Sequence, residues 1–595
     1  MKKNFLKVWS ILEIKNKKRV VIASMLLLSS SFFDLLGVAS VLPFFSLLAS
    51  PELLQNNEYL IYLNSFLNLE SQNFIIFLGL ISFGIIILNQ TLRFLSTQYN
   101  NKFLNNIYYE KTYKLYNYYL TRPYKFILDK NNEVLIQRCT NMVNSATGYI
   151  SPILFMAGNL LTSLFVVIFL LFYQPLITIF VFLLLSIFYL SFFQSFKKRI
   201  FQLGEFSTNY INDSGKILGN SFGVFKQTRI IKNNNFFLSK YKKIALDFRN
   251  ATNKIQAYQL LPSSLVEISA YGILIIITLY LYIGSENFSS IIPIMGVLAI
   301  SLRRLIPAIQ AIYTDFVQIK FNKPTFNKII KDLSESYFYF NQSDKKNKKV
   351  ETVSFEKEIV LKNIIYKHKG RKRRPTVNIS TSIKKKEIIG ICGKTGHGKT
   401  TFIDILAGLL KYDSGKILID NQKVSSVNTG AWQDKIGYAP QNGFIIDDTL
   451  ENNIYFGKKF HNANKKLKKI CSIVLLDKFI NKKLKKKYKT LIGDNGTRLS
   501  GGEQQRLILA RVLIRDPSIL ILDEATNALD FQTENKLINN IKKNFKNLTI
   551  LFVTHRLNTL KHCKRVLFIK DGQIKFDGKS NNLLRKKDLF KNNYN

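Results

Sequence analysis

The chain has 595 residues, 47% of them hydrophobic and 21% charged, with a formal net charge of +47. That length gives room for two or more domains. The lysines are scattered among asparagines rather than grouped with aromatics, so no nucleic-acid partner is expected; the charge reads as compositional bias or attraction to anionic lipid. Cys139, Cys392, Cys471 and Cys563 have no close pairing and the five histidines no metal-ligand spacing, which argues against a disulfide framework or a zinc site.

Six apolar segments, about 20–48, 74–98, 150–173, 175–195, 261–283 and 289–310, are long enough to cross a bilayer. The first follows Lys15, Lys17, Lys18 and Arg19 like a secretory signal, yet it is too long for one and is expected to be retained. Only Tyr173-Gln174-Pro175 separates the third from the fourth, which predicts a tight helical hairpin. The 49–72 loop carries acidic but no basic residues, whereas the N-terminus, 99–149 and 196–255 are basic, so both termini are predicted to be cytoplasmic. Within 49–72, Leu53, Leu54, Tyr59, Leu60, Leu63, Phe66 and Leu67 recur at near-helical spacing, leaving open an amphipathic helix on the outer surface or an irregular loop.

Polar groups in apolar spans are costly and need a reason. Asp34, Arg93, Glu267, Arg303 and Arg304 fall within or at the ends of the runs. Two readings stand: the acids pair with arginines to lock helices, or Arg93, Arg303 and Arg304 line a wet cavity and grip a phosphorylated headgroup. The basic loops are too long for simple connections, so the membrane helices are expected to continue beyond the bilayer. Composition changes near 320–350, giving an expected membrane domain at 1–330, a Lys-rich linker at 331–352 and a second domain at 353–590.

The second domain opens its chemistry at Gly393-Lys394-Thr395-Gly396-His397-Gly398-Lys399-Thr400, the pattern G-x-x-x-x-G-K-[ST], followed by Thr401. Glycines let successive N–H groups point at phosphate oxygens, Lys399 reaches the β/γ-phosphates, and the Thr400 hydroxyl suits Mg²⁺; ATP is the expected ligand. Farther on, the strand-like Ile519–Leu522 ends in Asp523-Glu524, one carboxylate for Mg²⁺ and the next to orient or deprotonate water. Between them, Ser500-Gly501-Gly502 begins a predicted helix and offers a second anion-binding terminus. One site does not need two such termini, so a second copy of the chain is expected.

These motifs resemble those of ATP-binding-cassette (ABC) nucleotide-binding domains. LSGGE ending at Glu503 is similar to the ABC signature, IGYAPQ ending at Gln441 to the Q-loop, NALD ending at Asp530 to the D-loop, Thr490–Gly496 to the exporter X-loop, and FVTHR to the segment carrying the switch histidine, here His555. The resemblance implies a homodimer sandwiching two ATP molecules, with Glu524, His555 and Gln441 catalytic, Gln441 also near Mg²⁺, and Ser500, Gly501, Gly502 and Asp530 closing the partner's site. By its spacing the adenine-stacking aromatic falls at His368, with Tyr366 as the alternative.

The membrane half resembles PglK-type lipid-linked oligosaccharide flippases of bacteria in FFDLLGVASVLPFFSLLAS with Asp34, LLPSSLVEISAYG with Glu267, and LRRLIPAIQ with Arg304. That resemblance implies an all-α six-span transmembrane domain fused to an α/β P-loop ATPase, in the bacterial inner membrane. It further implies coupling helices at Tyr124–Leu128 and Gly223–Gln227, an external amphipathic helix, and export of a polyprenyl-pyrophosphate glycan. A multidrug, lipid or peptide exporter is the alternative.

Overall fold

A computed structural model describes residues 12–49, 62, 64–65, 69–284, 291–343, 352–368, 376–424, 428–458, 460–493 and 496–585. The chain forms two compact units, one of 1–122 with 126–347, the other of 348–595 with 123–125.

The first unit is helical. Its long helices are Ile14–Ala39, continued by Val41–Ala49, then Ser71–Leu120, Val143–Tyr173, Pro175–Gly223, Asn235–Gly284 and Ile291–Ser343. Five stretches among the described residues are long and apolar enough to cross a membrane; the predicted span at 175–195 lies in Pro175–Gly223, several of whose side chains fall outside the described set. Gln174 alone separates Val143–Tyr173 from Pro175–Gly223, and Pro175 starts the second helix where its missing N–H costs nothing. At 50 residues, Ser71–Leu120 is about 75 Å long, far more than the ~30 Å of hydrocarbon it must cross. Short helices occupy Tyr124–Leu128 and Phe225–Ile231. Most of the amphipathic pattern at 53–67 lies outside the described residues.

Polar and aromatic contacts fasten the long helices together. Tyr149 stacks on Phe326 with ring centroids 4.4 Å apart, and the Thr208 and Thr325 hydroxyls lie 2.7 Å from each other. Near one end of Ser71–Leu120, Tyr118 donates to Glu335 at 2.5 Å and Tyr119 to Asp332 at 2.6 Å. Arg122 pairs with Glu335 at 2.9 Å, and Arg138 with Asp332. Arg138 opens a one-turn π-helix, Arg138–Met142, where the wider turn lets the chain pass into Val143–Tyr173 without a break.

The second unit is α/β. Its strands are β1 Glu358–Tyr366, β2 Val377–Lys384, β3 Ile388–Cys392, β4 Ser414–Ile419, β5 Gln422–Lys423, β6 Ile436–Ala439, β7 Ile519–Asp523, β8 Thr549–Val553, β9 Arg565–Lys570 and β10 Gln573–Lys579. An antiparallel sheet has the order β2-β1-β4-β5; the central sheet runs β10-β9-β3-β8-β7-β6, parallel except for its β10 edge. β7 and β8 are buried throughout, which is why they read as unbroken apolar runs rather than alternating ones. Trp432 anchors the core beneath helix Lys399–Leu406, its indole N–H donating to the Leu406 carbonyl at 2.8 Å.

Candidate functional site

In a parallel sheet the strands end together along one edge, where ligands bind. β3 runs into the glycine loop and helix Lys399–Leu406, β7 into Glu524, and β8, between them, into Thr554 and His555. The order β3-β8-β7 thus brings to one edge residues separated by more than a hundred positions in the chain.

The loop can follow this path only with glycine at two positions. A Cβ on Gly393 would lie 2.1 Å from the Ile569 carbonyl oxygen, and one on Gly398, at φ 94°, would lie 2.6 Å from that of Thr376. Lys399 folds over the loop, its ammonium donating to the Gly393 and Lys394 carbonyls at 2.7 and 3.0 Å. Burial pushes the Lys399 pKa down, against the opposing pull of Glu524, Cys392 and Asp523. Thr395, Gly396 and Thr400 are exposed, while Lys394, His397 and Thr401 are half-buried.

Four groups converge on the end of β7. Tyr438 donates to Asp523 at 3.0 Å; Gln441 Nε2 and Asn527 Nδ2 donate to Glu524 Oε2 at 2.6 and 3.0 Å; His555 Nδ1 lies 3.2 Å from Glu524 Oε1. With a carboxylate as acceptor, the His555 proton is assigned to Nδ1. Glu524 sits at φ 51°, a left-handed conformation that turns its side chain off the strand at a cost and is held by its neighbours. Burial raises the Asp523 pKa, helped by the Glu524 charge and opposed by Tyr438 and Lys399. A buried carboxylate beside a second one, with a hydroxyl and an amide oxygen among the nearby side chains, is a hard oxygen donor set that fits Mg²⁺.

Asp404, on the helix after the loop, was not read from the sequence as part of this site. Burial and then the Asp523 charge raise its pKa to about 6. The folded protein therefore keeps a proton that an unfolded aspartate releases near pH 4. The resulting stability is greatest below pH 4, declines as pH rises to about 6, and is lost beyond. Asp404→Asn should accordingly raise the nucleotide-free melting temperature at pH 8 and leave it nearly unchanged at pH 4. After allowance for solvent screening the gain is about 1 kcal/mol, read by thermal unfolding at the two pH values.

The Ser500–Gly502 segment stands apart from the loop: among the described residues no hydrogen bond links the two. Ser500 caps helix Gly501–Leu513, accepting the Glu503 N–H at 3.4 Å while the Glu503 carboxylate accepts the Ser500 N–H at 2.8 Å. Gln505 on this helix accepts the Ala528 N–H at 2.9 Å, and Arg556 donates to the Asn527 carbonyl at 2.6 Å. Gln505 thus ties the capped helix to the segment after Glu524, and Arg556 ties that segment to the end of β8, roles that spacing could not reveal. Asp530 caps the next helix by accepting the Thr533 N–H at 2.9 Å. Asp494 and Asn495 of the X-loop stretch lie outside the described residues. Of the two aromatics near the nucleotide end, Tyr366 is 1% exposed and edge-on to His368, whereas His368 is exposed.

The helical unit holds Arg93, Arg303 and Arg304 around a common space. They line one cavity of about 350 Å³ with Ser30, Asp34 and Asp315. Arg304 pairs with Asp34 at 3.1 Å, and Asn89 donates to Asp34 at 2.8 Å. Among the described residues no ion pair forms at Arg93, Arg303 or Glu267.

A glycine-rich loop at the end of β3 and paired acids at the end of β7 define a P-loop nucleotide hydrolase. The ABC transporter family model matches residues 376–527. Over 233 residues the chain is 35% identical to the ATP-dependent lipid A-core flippase of Wigglesworthia glossinidia brevipalpis, covering 39% of this chain and 40% of that one. Over 226 residues it is 34% identical to the multidrug resistance-like ATP-binding protein MdlA of Buchnera aphidicola, covering 38% and 39%. The chain thus matches about two fifths of the length of these curated relatives. A solved bacterial Atm1-family ABC exporter with ATP bound superposes with a TM-score of 0.76, at 17% identity and 98% coverage of both chains. The second unit is an ABC transporter ATP-binding domain, and the whole chain has the fold of an ABC exporter.

Proposed function

We propose that two copies of this chain form an ATP-driven exporter that moves a phosphorylated glycolipid across the bacterial inner membrane, most specifically a polyprenyl-pyrophosphate oligosaccharide. The carrying observation is one polypeptide joining a P-loop site to apolar helices whose internal cavity gathers three arginines. Guanidinium groups match phosphate oxygens bidentately, and few other cargo chemistries would justify their cost in an apolar bundle. One relative is, by its name, a lipid A-core flippase.

The domain plan is 1–330 for six spans, 331–352 for the linker and 353–590 for the cassette, with both termini cytoplasmic. ATP would lie on the Gly393–Thr401 loop with Lys399 against its phosphates, and His368 rather than buried Tyr366 would meet the adenine. Thr400, Asp523 and Gln441 would hold Mg²⁺, which when bound neutralises charge developing on the phosphates. Glu524, kept in place by Gln441, Asn527 and His555, takes the proton of the attacking water. Ser500, Gly501, Gly502 and Asp530 would complete the partner copy's site. The helices Tyr124–Leu128 and Phe225–Ile231 would carry closure of the cassettes to the spans.

Proteoliposomes test the cargo. Polyprenyl-pyrophosphate glycans, lipid A-type glycolipids, drugs and peptides are each offered with ATP, and the phosphorylated glycolipids should be translocated and neutral amphiphiles not. Transport confined to drugs or peptides would replace the glycolipid reading by the multidrug or peptide one.

A further inference from the structure

The position before Gly398 is a free choice in the loop pattern, and phosphate binding asks nothing of it. Here it is His397, and it makes three hydrogen bonds. Its own N–H donates to the Lys394 carbonyl at 3.3 Å, and its carbonyl accepts the Gly572 N–H at 3.1 Å. Its ring nitrogen Nδ1 accepts the Asp571 N–H at 2.9 Å, which leaves the ring proton on Nε2.

Asp571 and Gly572, with φ of 52° and 75°, form the tight turn between β9 and β10. That turn is itself fixed. The Gly572 carbonyl accepts the Asn378 N–H at 2.7 Å, and a Cβ on Gly572 would come within 2.4 Å of the Thr376 oxygen. β9 also pairs with β3, the strand that leads into the loop. A closed circuit results: β3, the loop, His397, the turn, β9, and back to β3.

We propose that His397 is a positioning residue for nucleotide binding: its Nδ1 bond to the Asp571 N–H clamps the loop to the β9–β10 turn and holds the phosphate cradle in shape before ATP arrives. The inference rests on the ATP-site reading above. Preorganisation of this kind strengthens binding because the loop gives up less freedom when the ligand comes.

The geometry makes a sharp test possible. Asn places an oxygen where histidine has Nδ1, whereas Gln places its polar atoms where histidine has Nε2. ATPase kinetics of the full chain in nanodiscs are measured for His397→Ala, His397→Asn, His397→Gln and Asp571→Asn, with Lys399→Ala in parallel and nucleotide-free melting as a check on folding. Loss of one hydrogen bond predicts that Ala and Gln raise KM for ATP about fivefold, with kcat moving less than KM. His397→Asn should return KM to within about twofold of the parent, and Asp571→Asn, which keeps the backbone donor, should stay there too. The clamp is overturned if Asn behaves like Ala and Gln, if all three leave KM unchanged, or if Asp571→Asn reproduces His397→Ala, since the 3.7 Å contact between ring and carboxylate would then be responsible. Failure of the ATP-site reading looks different: Lys399→Ala would leave hydrolysis intact.

Discussion

Glu524→Gln should lower ATP turnover by about 10²–10³-fold while leaving ATP binding within about threefold of the parent. The substitution keeps the size of the side chain and one acceptor oxygen for Gln441 or Asn527, so the surrounding hydrogen bonds can largely re-form. What it removes is the basic oxygen able to take a proton from water. Binding is expected to draw instead on the glycine loop and Lys399, whose hydrogen bonds to the Gly393 and Lys394 carbonyls do not involve Glu524. Turnover and ATP retention are measured on the same preparation, the latter by filter binding. A variant that hydrolyses at more than a tenth of the parental rate would remove Glu524 from the role of general base.

Arg304→Ala should destabilise the helical unit by about 3–5 kcal/mol. The Asp34 side chain is only 6% exposed, and without its partner 3.1 Å away the carboxylate remains among apolar helices with Asn89 as its hydrogen-bond donor. Adding Asp34→Asn to Arg304→Ala should recover most of that loss, because no buried charge is then left unpaired. Unfolding in mild detergent for both single variants and the double one gives the coupling energy directly. Equal instability in Arg304→Ala and the double variant would show that the pair is not what holds the helices. Arg303→Ala, free of this penalty, separates cargo from stability: it should impair translocation of the phosphorylated glycolipid while its melting temperature changes little.

The residues that backbone geometry dictates were the legible ones. Only glycine fits where Gly393 meets the Ile569 carbonyl, so the loop carries its spacing in the sequence, and Pro175 marked the hairpin because it can only begin a helix there. Helix lengths were legible as a tendency, since both basic loops were too long to be simple connections. Partner choice was not. Five charged residues stood near the spans, and nothing in one dimension said that Asp34 takes Arg304 while Glu267 forms no ion pair among the described residues. The adenine side was obscured for a different reason. In β1 the buried positions are Ile359 and Leu361, then Ile364 and Tyr366, because a bulge at Lys362-Asn363, with Asn363 at φ 49°, reverses the alternation. That reversal sends Tyr366 into the core, while His368 is exposed because β1 has already ended at Tyr366, and no count of residues from the loop could have shown either.

The length of Ser71–Leu120 sets the scale on which small motions in the bilayer are felt. With about 45 Å of stiff rod beyond the hydrocarbon, a tilt of some 5° sweeps its far tip through roughly 4 Å. That stroke exceeds the reach of any hydrogen bond. The tyrosine and arginine fastenings at Glu335 and Asp332 lie near that tip, so the rod can lean only if the helix carrying those acids leans with it.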